Sequence, residues 1–398
     1  MTANHLMDTV EFRNFNIVGA DGPYLVRADG RKLLDLFTDT GTASLGTSWA
    51  SINEAMSCLA DFHFGAHAPN LYTNPLRNYV SERVCKLMGA SRVFWCNSGT
   101  EAVEAAIKMA RLYHYKQAKL SNPPRNNILS VSGGFHGRTY GAIAAGDGPS
   151  YHYEGMGPYP GGFIHAPIER MCDMIISLGP SLAAVIMAPV MGNNDVVPYE
   201  TEVLQSIQAM AHSVGSLLIF DEVQTGSGRT GAPTYAQRVG LEPDITCLAK
   251  GIGMGFPVGL ALARGNAGNA FTPGTHFSTF GGNPMSNAFV NVMCSWLENQ
   301  SNLDSVISVG SFTKFALETR DSFPDMGQVR AVGMMIACDV PVDRRMLERE
   351  ALAEGLLLPT FRDGPGTIKI TPPLNIGMPT MAMAMESLSR AYKRCLEF

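Results

Sequence analysis

Between about residues 90 and 265, short β-rich runs alternate with segments that have the apolar periodicity of helices. The runs are "RVFWC", "AAVIMAPV" and "SLLIF", and the helical segments between them include "EAVEAAIKMARLYHY" and "ETEVLQSIQAMAHSV". This alternation is typical of parallel strands joined by crossover helices. The strands are apolar throughout, which indicates that both faces of the sheet are covered. We therefore predict an α/β fold with a mostly parallel, doubly wound sheet.

The pattern changes after about residue 290. "VRAVGMMIACDV" predicts one strand, "RRMLEREALAEG" predicts a helix, and "TIKITPPLNIG" predicts a further strand that ends in a proline turn. We predict a large domain over residues 46–288 and a smaller α+β domain over residues 289–398. The N-terminal segment, residues 1–45, is expected to join the smaller domain.

Composition and charge exclude several classes of protein. The net charge is −5 and no run of basic residues occurs, so nucleic acid is not an expected partner. No apolar run approaches the roughly 18 residues that span a bilayer, and the start lacks the order of a signal peptide. The eight cysteines are scattered without a CxxC pair, which argues against a metal site or a disulfide framework. These features predict a cytoplasmic protein with no membrane partner.

Lys250 is the only lysine in "ITCLAKGIGMGFPVG", a stretch that is otherwise mostly apolar or glycine. An unpaired buried cation is costly, so a lysine in such a place should be paired or used chemically. The alternative is a lysine on a surface loop.

Asp221 stands at the end of a buried strand in "SLLIFDEVQTGSGRTG". Ligands bind at this edge of open α/β sheets, although an aspartate there could also simply cap a turn. The same segment contains Gly226, Gly228 and Gly231 in a formal GxGxxG spacing. That fingerprint requires a helix at the glycines, and Pro233 follows instead, so we reject a nicotinamide oxidoreductase.

Two further segments combine small residues with an aromatic ring. In "WCNSGTEAVEAAIKMAR", Ser98, Gly99 and Thr100 precede or begin a helix and are expected to leave N–H groups and hydroxyls open to a phosphate. An ordinary capped helix is the alternative. In "SGGFHGRTYGA", Phe135 lies between glycines, where its ring could stack on a flat heterocycle.

Together these parts suit pyridoxal phosphate. The aspartate would keep the pyridine nitrogen protonated, and the lysine would hold the aldehyde as a Schiff base and later move protons. The lysine pKa would have to fall below its usual value, which burial in an apolar pocket favours.

Five motifs, "NSGTEA", "FHGR", "LLIFDEVQTGSGRTG", "PDITCLAKGIGMGFPVG" and "STFGGNP", stand in the order found in one enzyme family. From about Tyr24 to its C-terminus the chain resembles the class III pyridoxal-phosphate aminotransferases of fold type I, and most of all the acetylornithine and ornithine aminotransferases. The resemblance implies a homodimer with shared active sites.

The resemblance also implies a role for individual residues. Lys250 matches the Schiff-base lysine and Asp221 the pyridinium partner. The other implied cofactor contacts are Ser98, Gly99 and Thr100 at the phosphate, Phe135, His136 and Val223 at the ring, Gln224 at the phenolic oxygen, and Ser278 and Thr279. Of these, Thr279 matches the residue that serves the phosphate of the partner subunit. Arg138 matches an arginine that holds a substrate carboxylate.

Other positions depart from the family. Ornithine-type relatives carry "EPIQGE" where this chain has "APVMGN", which places Asn193 where a glutamate masks a C-terminal arginine. That arginine appears here as Lys369, which keeps the charge but loses the planar fork that grips a carboxylate; the alternative is that Lys369 simply extends to the surface. Ser48, Trp49 and Ala50 replace a histidine–proline pair near the entrance. "PVMGNNDVVP" is also similar to glutamate-semialdehyde aminomutases.

The predicted function is therefore an aminotransferase with a ping-pong cycle that moves an amino group from a small-molecule donor to an aldehyde or ketone acceptor. The departures indicate a non-standard substrate, such as a secondary-metabolite or amino-sugar carbonyl. An aminomutase or epimerase that uses Lys250 and Asp221 without net exchange of an amine is the alternative. A non-catalytic binding protein is disfavoured because both residues are present.

Overall fold

The structure is a computed structural model that describes residues 7, 9, 11, 13, 15–47, 49–118, 125–149, 152–192, 195–360 and 364–397. Its strands are β1 (Ile17–Asp21), β2 (Tyr24–Arg27), β3 (Lys32–Asp35), β4 (Arg92–Cys96), β5 (Asn127–Val131), β6 (Phe163–Ala166), β7 (Leu182–Met187), β8 (Val190–Met191), β9 (Val197–Pro198), β10 (Leu217–Asp221), β11 (Ile245–Leu248), β12 (Gly259–Ala263), β13 (Val329–Val332), β14 (Met335–Val340), β15 (Leu356–Leu357) and β16 (Gly366–Ile370). Its helices are α1 (Thr38–Gly41), α2 (Trp49–Asp61), α3 (Pro75–Met88), α4 (Gly99–Gln117), α5 (Tyr140–Ala145), α6 (Met171–Leu178), α7 (Thr201–Ser213), α8 (Tyr235–Arg238), α9 (Pro284–Glu298), α10 (Gln300–Glu318), α11 (Arg344–Ala353) and α12 (Met378–Leu396).

A seven-stranded sheet, in the order β4-β12-β11-β10-β7-β5-β6, lies at the centre of the molecule. The neighbours β11, β10, β7, β5 and β6 are parallel to one another. Only β12 is reversed, because it pairs antiparallel with both β11 and β4. The prediction of a mostly parallel α/β sheet is confirmed.

Helices cover both faces of this sheet, as the apolar strands predicted. All six residues of β7 are buried, and so are all five of β10. The helix α4 packs on β11, β12 and β7. It does so through small and apolar residues at helical spacing, which include Ala102, Ala106 and Ala110. Small side chains let the helix axis approach the sheet closely, and this fixes the start of α4 relative to the strand ends.

Three smaller sheets lie outside the central one in the described part of the chain, and one of them is the two-stranded pair β8-β9. Of the other two, the first, in the order β1-β2-β3-β15, pairs N-terminal strands with a strand from the last part of the chain, where Leu356 lies opposite Leu34. The second, β13-β14-β16, packs against helix α10 through β13 and β14. The predicted domain boundaries stay a prediction.

The prediction of a single strand over "VRAVGMMIACDV" is wrong. The segment forms the antiparallel strands β13 and β14, in which Val332 pairs with Met335. The chain turns at Gly333, whose φ is +58°, a conformation that glycine adopts readily. Among the described residues, no helix is both long and apolar enough to cross a membrane.

Candidate active site

A cavity of about 470 Å³ lies at the edge of the central sheet where the parallel strands end. Segments that follow β4, β5, β7, β10 and β11 form its walls. This is the edge at which open α/β sheets bind ligands. Of the predicted site residues that the structure describes, Ser278, Thr279 and Lys369 do not line this cavity, and all the others do.

Lys250 enters the cavity directly after β11, at the start of a 3-10 helix, Lys250–Gly253. Its φ is +48°, a strained conformation for a residue other than glycine, and such strain is concentrated at functional sites. Burial lowers the pKa of the Lys250 ammonium, while the carboxylates of Asp221 and Asp39 oppose that change. The lowered pKa increases the fraction of neutral amine, the form that acts as a nucleophile or base.

Asp221 ends strand β10 and is buried at the cavity. Its Oδ2 lies 2.8 Å from Nδ1 of His136, and its Oδ1 accepts a hydrogen bond from the N–H of Val223 at 3.1 Å. A carboxylate only accepts, so Nδ1 of His136 carries the proton of this pair. Nε2 of His136 is buried and has no hydrogen-bond partner among the residues that the structure describes. The arrangement fixes a carboxylate whose remaining lone pairs can accept an N–H from a ligand.

Glu222, the next residue, was not identified from the sequence. Its carboxylate accepts hydrogen bonds from the N–H groups of Tyr235 and Ala236 at the start of α8, and from the hydroxyl of Thr225. Complete burial raises the pKa of Glu222 to about 7. The side chain therefore ties the segment after Asp221 to a second helix and holds that segment against the cavity.

The first turn of α4 borders the cavity at Gly99 and Thr100. Ser98 caps this helix, since its hydroxyl accepts from the N–H of Glu101 at 3.3 Å and donates to the carboxylate of Glu101 at 3.2 Å. The first N–H groups of a helix have no acceptor within the helix, and they favour an anion. The backbone at Gly99 and Thr100 therefore offers an anion site.

The hydroxyls at this helix start are engaged within the protein, whereas the sequence predicted them to be open. Oγ1 of Thr139 donates to the carboxylate of Glu104 at 2.7 Å. It also lies 2.7 Å from Oγ1 of Thr100. Because a hydroxyl has one proton, Thr100 must donate to Thr139. The Thr100 hydroxyl also accepts from the N–H of Thr139 at 3.2 Å, so it connects α4 to the "FHGRT" loop.

Two glycines allow side chains to close around the cavity. A Cβ on Gly99 would lie 2.8 Å from Cγ1 of Val223, so only glycine lets Val223 approach the start of α4. A Cβ on Gly192 would lie 1.8 Å from Oε1 of Gln224. The loop after β8 therefore packs directly on the amide of Gln224. A larger residue at either glycine would prevent this close packing.

Arg138 lies at the edge of the cavity and is exposed in this chain. Its Cζ lies 5.6 Å from the centre of the Phe135 ring, and its Nη2 lies 3.2 Å from Nε2 of His152. His152 was missed in the sequence, because nothing in the local pattern links it to a residue 14 positions earlier.

Lys369, one residue of the predicted carboxylate switch, does not line the cavity but contacts a residue that does. Nζ of Lys369, on β16, donates to the carbonyl oxygen of Gly192 at 2.6 Å. Asn193 and Ser48 lie outside the described residues. The Ser278 hydroxyl accepts from Nδ2 of Asn97 at 3.2 Å, which places Ser278 beside the cavity but not in its wall.

Comparisons with known proteins agree with one another. The family described as "Aminotransferase class-III" matches residues 8–392. An acetylornithine aminotransferase from Bacillus subtilis (strain 168) is 35% identical over 382 residues, which cover 95% of each chain. An ornithine aminotransferase from Toxoplasma gondii ME49 has the same fold, with a TM-score of 0.90 at 23% identity, over 99% of this chain and 93% of that one. An amine transaminase from an uncultivated Pseudomonas species, in a PLP-bound form, gives a TM-score of 0.87 at 25% identity over 99% of each chain.

The chain therefore belongs to the class-III aminotransferases. It is a transaminase of fold type I that depends on pyridoxal phosphate, as the sequence predicted.

The residues at the cavity fit this cofactor. The start of α4 offers the N–H groups of Gly99 and Thr100 for a phosphate, and the apolar side chains of Val223 and Phe135 line the same cavity and suit a flat ring. The fixed carboxylate of Asp221 suits a ring N–H, and the amine of Lys250 suits an aldehyde. These four features occur at a single cavity.

Proposed function

We propose that this transaminase takes an amino donor by its carboxylate at Arg138, and that ornithine and acetylornithine are poor substrates. The observation that carries the proposal is the contact of Lys369 with the carbonyl oxygen of Gly192. Gly192 lines the cavity and Lys369 does not, so the Lys369 ammonium donates to the cavity wall instead of lining the cavity itself. Arg138 lines the cavity and keeps the planar fork that Lys369 lacks.

Lys250 and Asp221 would perform the chemistry in this proposal. Bound pyridoxal phosphate supplies an aldehyde that condenses with amines and a ring that withdraws electrons from the carbon beside the amine. Lys250 would hold the cofactor covalently and, once released, move a proton to and from that carbon, which its lowered pKa favours. Asp221, oriented by His136, would accept the ring N–H and keep the ring protonated.

The remaining predicted residues would orient the cofactor. The N–H groups of Gly99 and Thr100 would bind the phosphate, while Ser98 caps the next N–H of the same turn, that of Glu101. Val223 and Phe135 would pack on the ring. Gln224, held against the loop at Gly192, would reach the phenolic oxygen.

We also propose a homodimer in which Thr279 completes the phosphate site of the partner subunit. Asn70 fixes this segment, since its Nδ2 donates to the carbonyl oxygens of Ser278 and Thr279 at 2.9 and 3.0 Å. The segment is surrounded by large apolar side chains that are exposed in the single chain, which are Leu71, Tyr72, Phe277 and Phe280. An apolar surface of this kind is typical of a subunit interface.

Two other activities need to be compared with this proposal. The family match and the aminotransferase relatives do not favour an aminomutase or epimerase. Use of acetylornithine is the stronger competitor, because the Bacillus subtilis relative bears that name. A cytoplasmic location stays a prediction.

A panel of donors and acceptors tests the proposal through the absorption change of the bound cofactor in each half-reaction. We expect donors that give up their α-amino group to react, and ornithine and acetylornithine, which offer an ω-amino group, to react poorly. Because Arg138 would grip the donor carboxylate in two places, Arg138→Ala should impair an amino acid donor far more than Lys369→Ala does. The double change Lys369→Arg with Asn193→Glu should increase the use of glutamate or ornithine. Efficient turnover of acetylornithine by the unmodified protein would overturn the substrate proposal and leave the family unchanged.

A further inference from the structure

The guanidinium of Arg138 is held by two neutral aromatic side chains. Its Cζ lies 5.6 Å from the centre of the Phe135 ring, and its Nη2 lies 3.2 Å from Nε2 of His152. The rings of Phe135 and His152 are themselves in a T-shaped contact at 6.0 Å. The three side chains therefore contact one another at the edge of the cavity, and we call them the Arg138 cluster.

The hydrogen bond defines the state of His152. A guanidinium has donors only, so Nε2 of His152 must be the acceptor and the ring must be neutral with its proton on Nδ1. Only 8% of His152 is exposed. Burial and the positive charge of Arg138 both lower the pKa of His152 and so favour the neutral form.

The peptide around His152 is fixed by its own contacts. The hydroxyl oxygen of Tyr153 accepts from the N–H of Gly148, and the hydroxyl of Tyr159 donates to the carbonyl oxygen of Tyr153 at 2.9 Å. These contacts hold Tyr153, the residue next to His152.

Because His152 and Phe135 are uncharged, they leave the positive charge of Arg138 uncompensated. In the part of the chain that the structure describes, no carboxylate pairs with this guanidinium; its contacts are His152 and Phe135. An aspartate or glutamate in the place of His152 would orient the arginine equally well but would neutralise it. A neutral acceptor restricts a side chain that otherwise has many rotamers and leaves the whole charge for a ligand.

We propose that His152 is a positioning and specificity-determining residue, which orients Arg138 toward the carboxylate of the donor and so selects amino acids over amines that lack a carboxylate. This inference rests on the proposed function, because it requires Arg138 to contact the donor. His152 itself would not touch the substrate.

The test compares an α-amino acid donor with a primary amine that has no carboxylate, each in steady state with the same acceptor. The variant His152→Phe keeps a ring of similar size and removes the acceptor, whereas His152→Gln removes the ring and keeps an acceptor. A hydrogen bond to a charged group is worth enough for roughly a 10- to 100-fold change in binding. We expect His152→Phe to raise KM for the amino acid by about that factor, with kcat within a few fold and the amine donor unaffected.

Two further variants make the result specific. His152→Gln should restore most of the amino acid KM, and His212→Ala, at an exposed histidine paired with Asp244, should have no effect. In an Arg138→Ala background, His152→Phe should cause no further loss, because residues that act through one contact are not additive.

The outcomes separate the two proposals. If Arg138→Ala impairs the amino acid donor and His152→Phe does not, the role of His152 is refuted and the proposed function stands. Equal losses with both donors would also refute it, since they would show general damage to the site. If Arg138→Ala leaves the amino acid KM unchanged, the assignment of Arg138 is wrong, and the role of His152 is refuted with it.

Discussion

Lys250 shows how burial changes the chemistry of a single side chain. In water an ammonium of this kind is almost wholly protonated at neutral pH. At the cavity, burial lowers its pKa, and the nearby carboxylates limit that change. Burial thus makes the charged form of Lys250 costly and the neutral amine more available. Asp221 and Asp39 still stabilise the ammonium in part.

We expect Lys250→Ala to abolish covalent attachment of the cofactor and to reduce turnover by at least roughly a hundredfold, the usual contribution of a positioned acid or base. Borohydride reduction followed by peptide mass spectrometry should locate the reduced cofactor on Lys250 in the wild-type protein. Lys314→Ala, at a partly exposed position of helix α10 where the lysine pairs with Glu318, is the matched control and should behave as wild type. Modification of a different lysine, or full activity of Lys250→Ala, would contradict the assignment.

The sequence identified side chains whose neighbours are close along the chain, and it missed those whose neighbours are distant. Lys250 and Asp221 each stand out because a charge follows an apolar strand. His152 and Thr139 act through partners brought close only by folding. The engagement of Thr100 could not be foreseen for the same reason, because Thr139 and Glu104 meet it across two elements.

At the scale of elements, hydrogen bonds connect helix α4 to the "FHGRT" loop and to the start of α5. Glu104 accepts from the Thr139 hydroxyl and also from the N–H groups of Gly141 and Ala142 at the start of α5. One carboxylate on α4 thus fixes the loop that carries Phe135 and Arg138. Glu104 therefore stabilises both the proposed phosphate site at the start of α4 and the part of the cavity edge that carries Arg138.

We expect Thr139→Val to weaken cofactor binding, because it removes the acceptor of the Thr100 hydroxyl and a donor to Glu104. Loss of one partner of a buried hydrogen bond costs about 1–3 kcal/mol, which corresponds to a roughly 5- to 150-fold rise in the cofactor Kd. Thr139→Ser retains the hydroxyl and should bind nearly as wild type. The Kd can be measured by the return of absorption when pyridoxal phosphate is added to the apoprotein. Equal Kd values for the valine and wild-type proteins would show that the connection does not support the cofactor.

Regular elements were predicted best where apolar runs are long and uninterrupted. The strands β4 and β10 and the helices α4 and α7 follow the sequence pattern closely. The hairpin β13–β14 was missed because both strands consist mostly of apolar residues without a polar turn between them, so that only the conformation of Gly333 marks the turn. The contact between Lys369 and Gly192 joins segments that lie 177 positions apart, and no local pattern encodes it.

The assembled protein should require two copies for a complete site. Thr279 does not line the cavity of its own chain, although Asn70 holds its backbone in place. The apolar side chains around it are largely exposed, with Leu71 at 87% and Phe280 at 62%. Exposure of this extent is costly in a lone chain and is removed when a second copy covers the surface.

We expect the wild-type protein to sediment as a dimer and the double variant Leu71→Glu, Phe280→Glu to sediment as a monomer that binds pyridoxal phosphate weakly. Sedimentation velocity that follows both protein and cofactor absorption measures the two properties together. Phe315→Glu, at an equally exposed aromatic residue on α10, should leave the dimer intact. An active wild-type monomer at assay concentration would refute the shared site.

The reversal of β12 has a consequence for how this enzyme can diversify. Because β11 ends at the cavity and β12 starts there, the chain between them leaves and rejoins the sheet at one edge. In this connecting segment Lys250 lies near the end of β11, and Gly255, Phe256 and Pro257 lie near the start of β12. All four residues line the cavity. Substitutions in the second half of this segment would reshape what the pocket accepts while the strand order and the reactive amine stay as they are. A new substrate range is therefore accessible through a few point mutations in one short peptide.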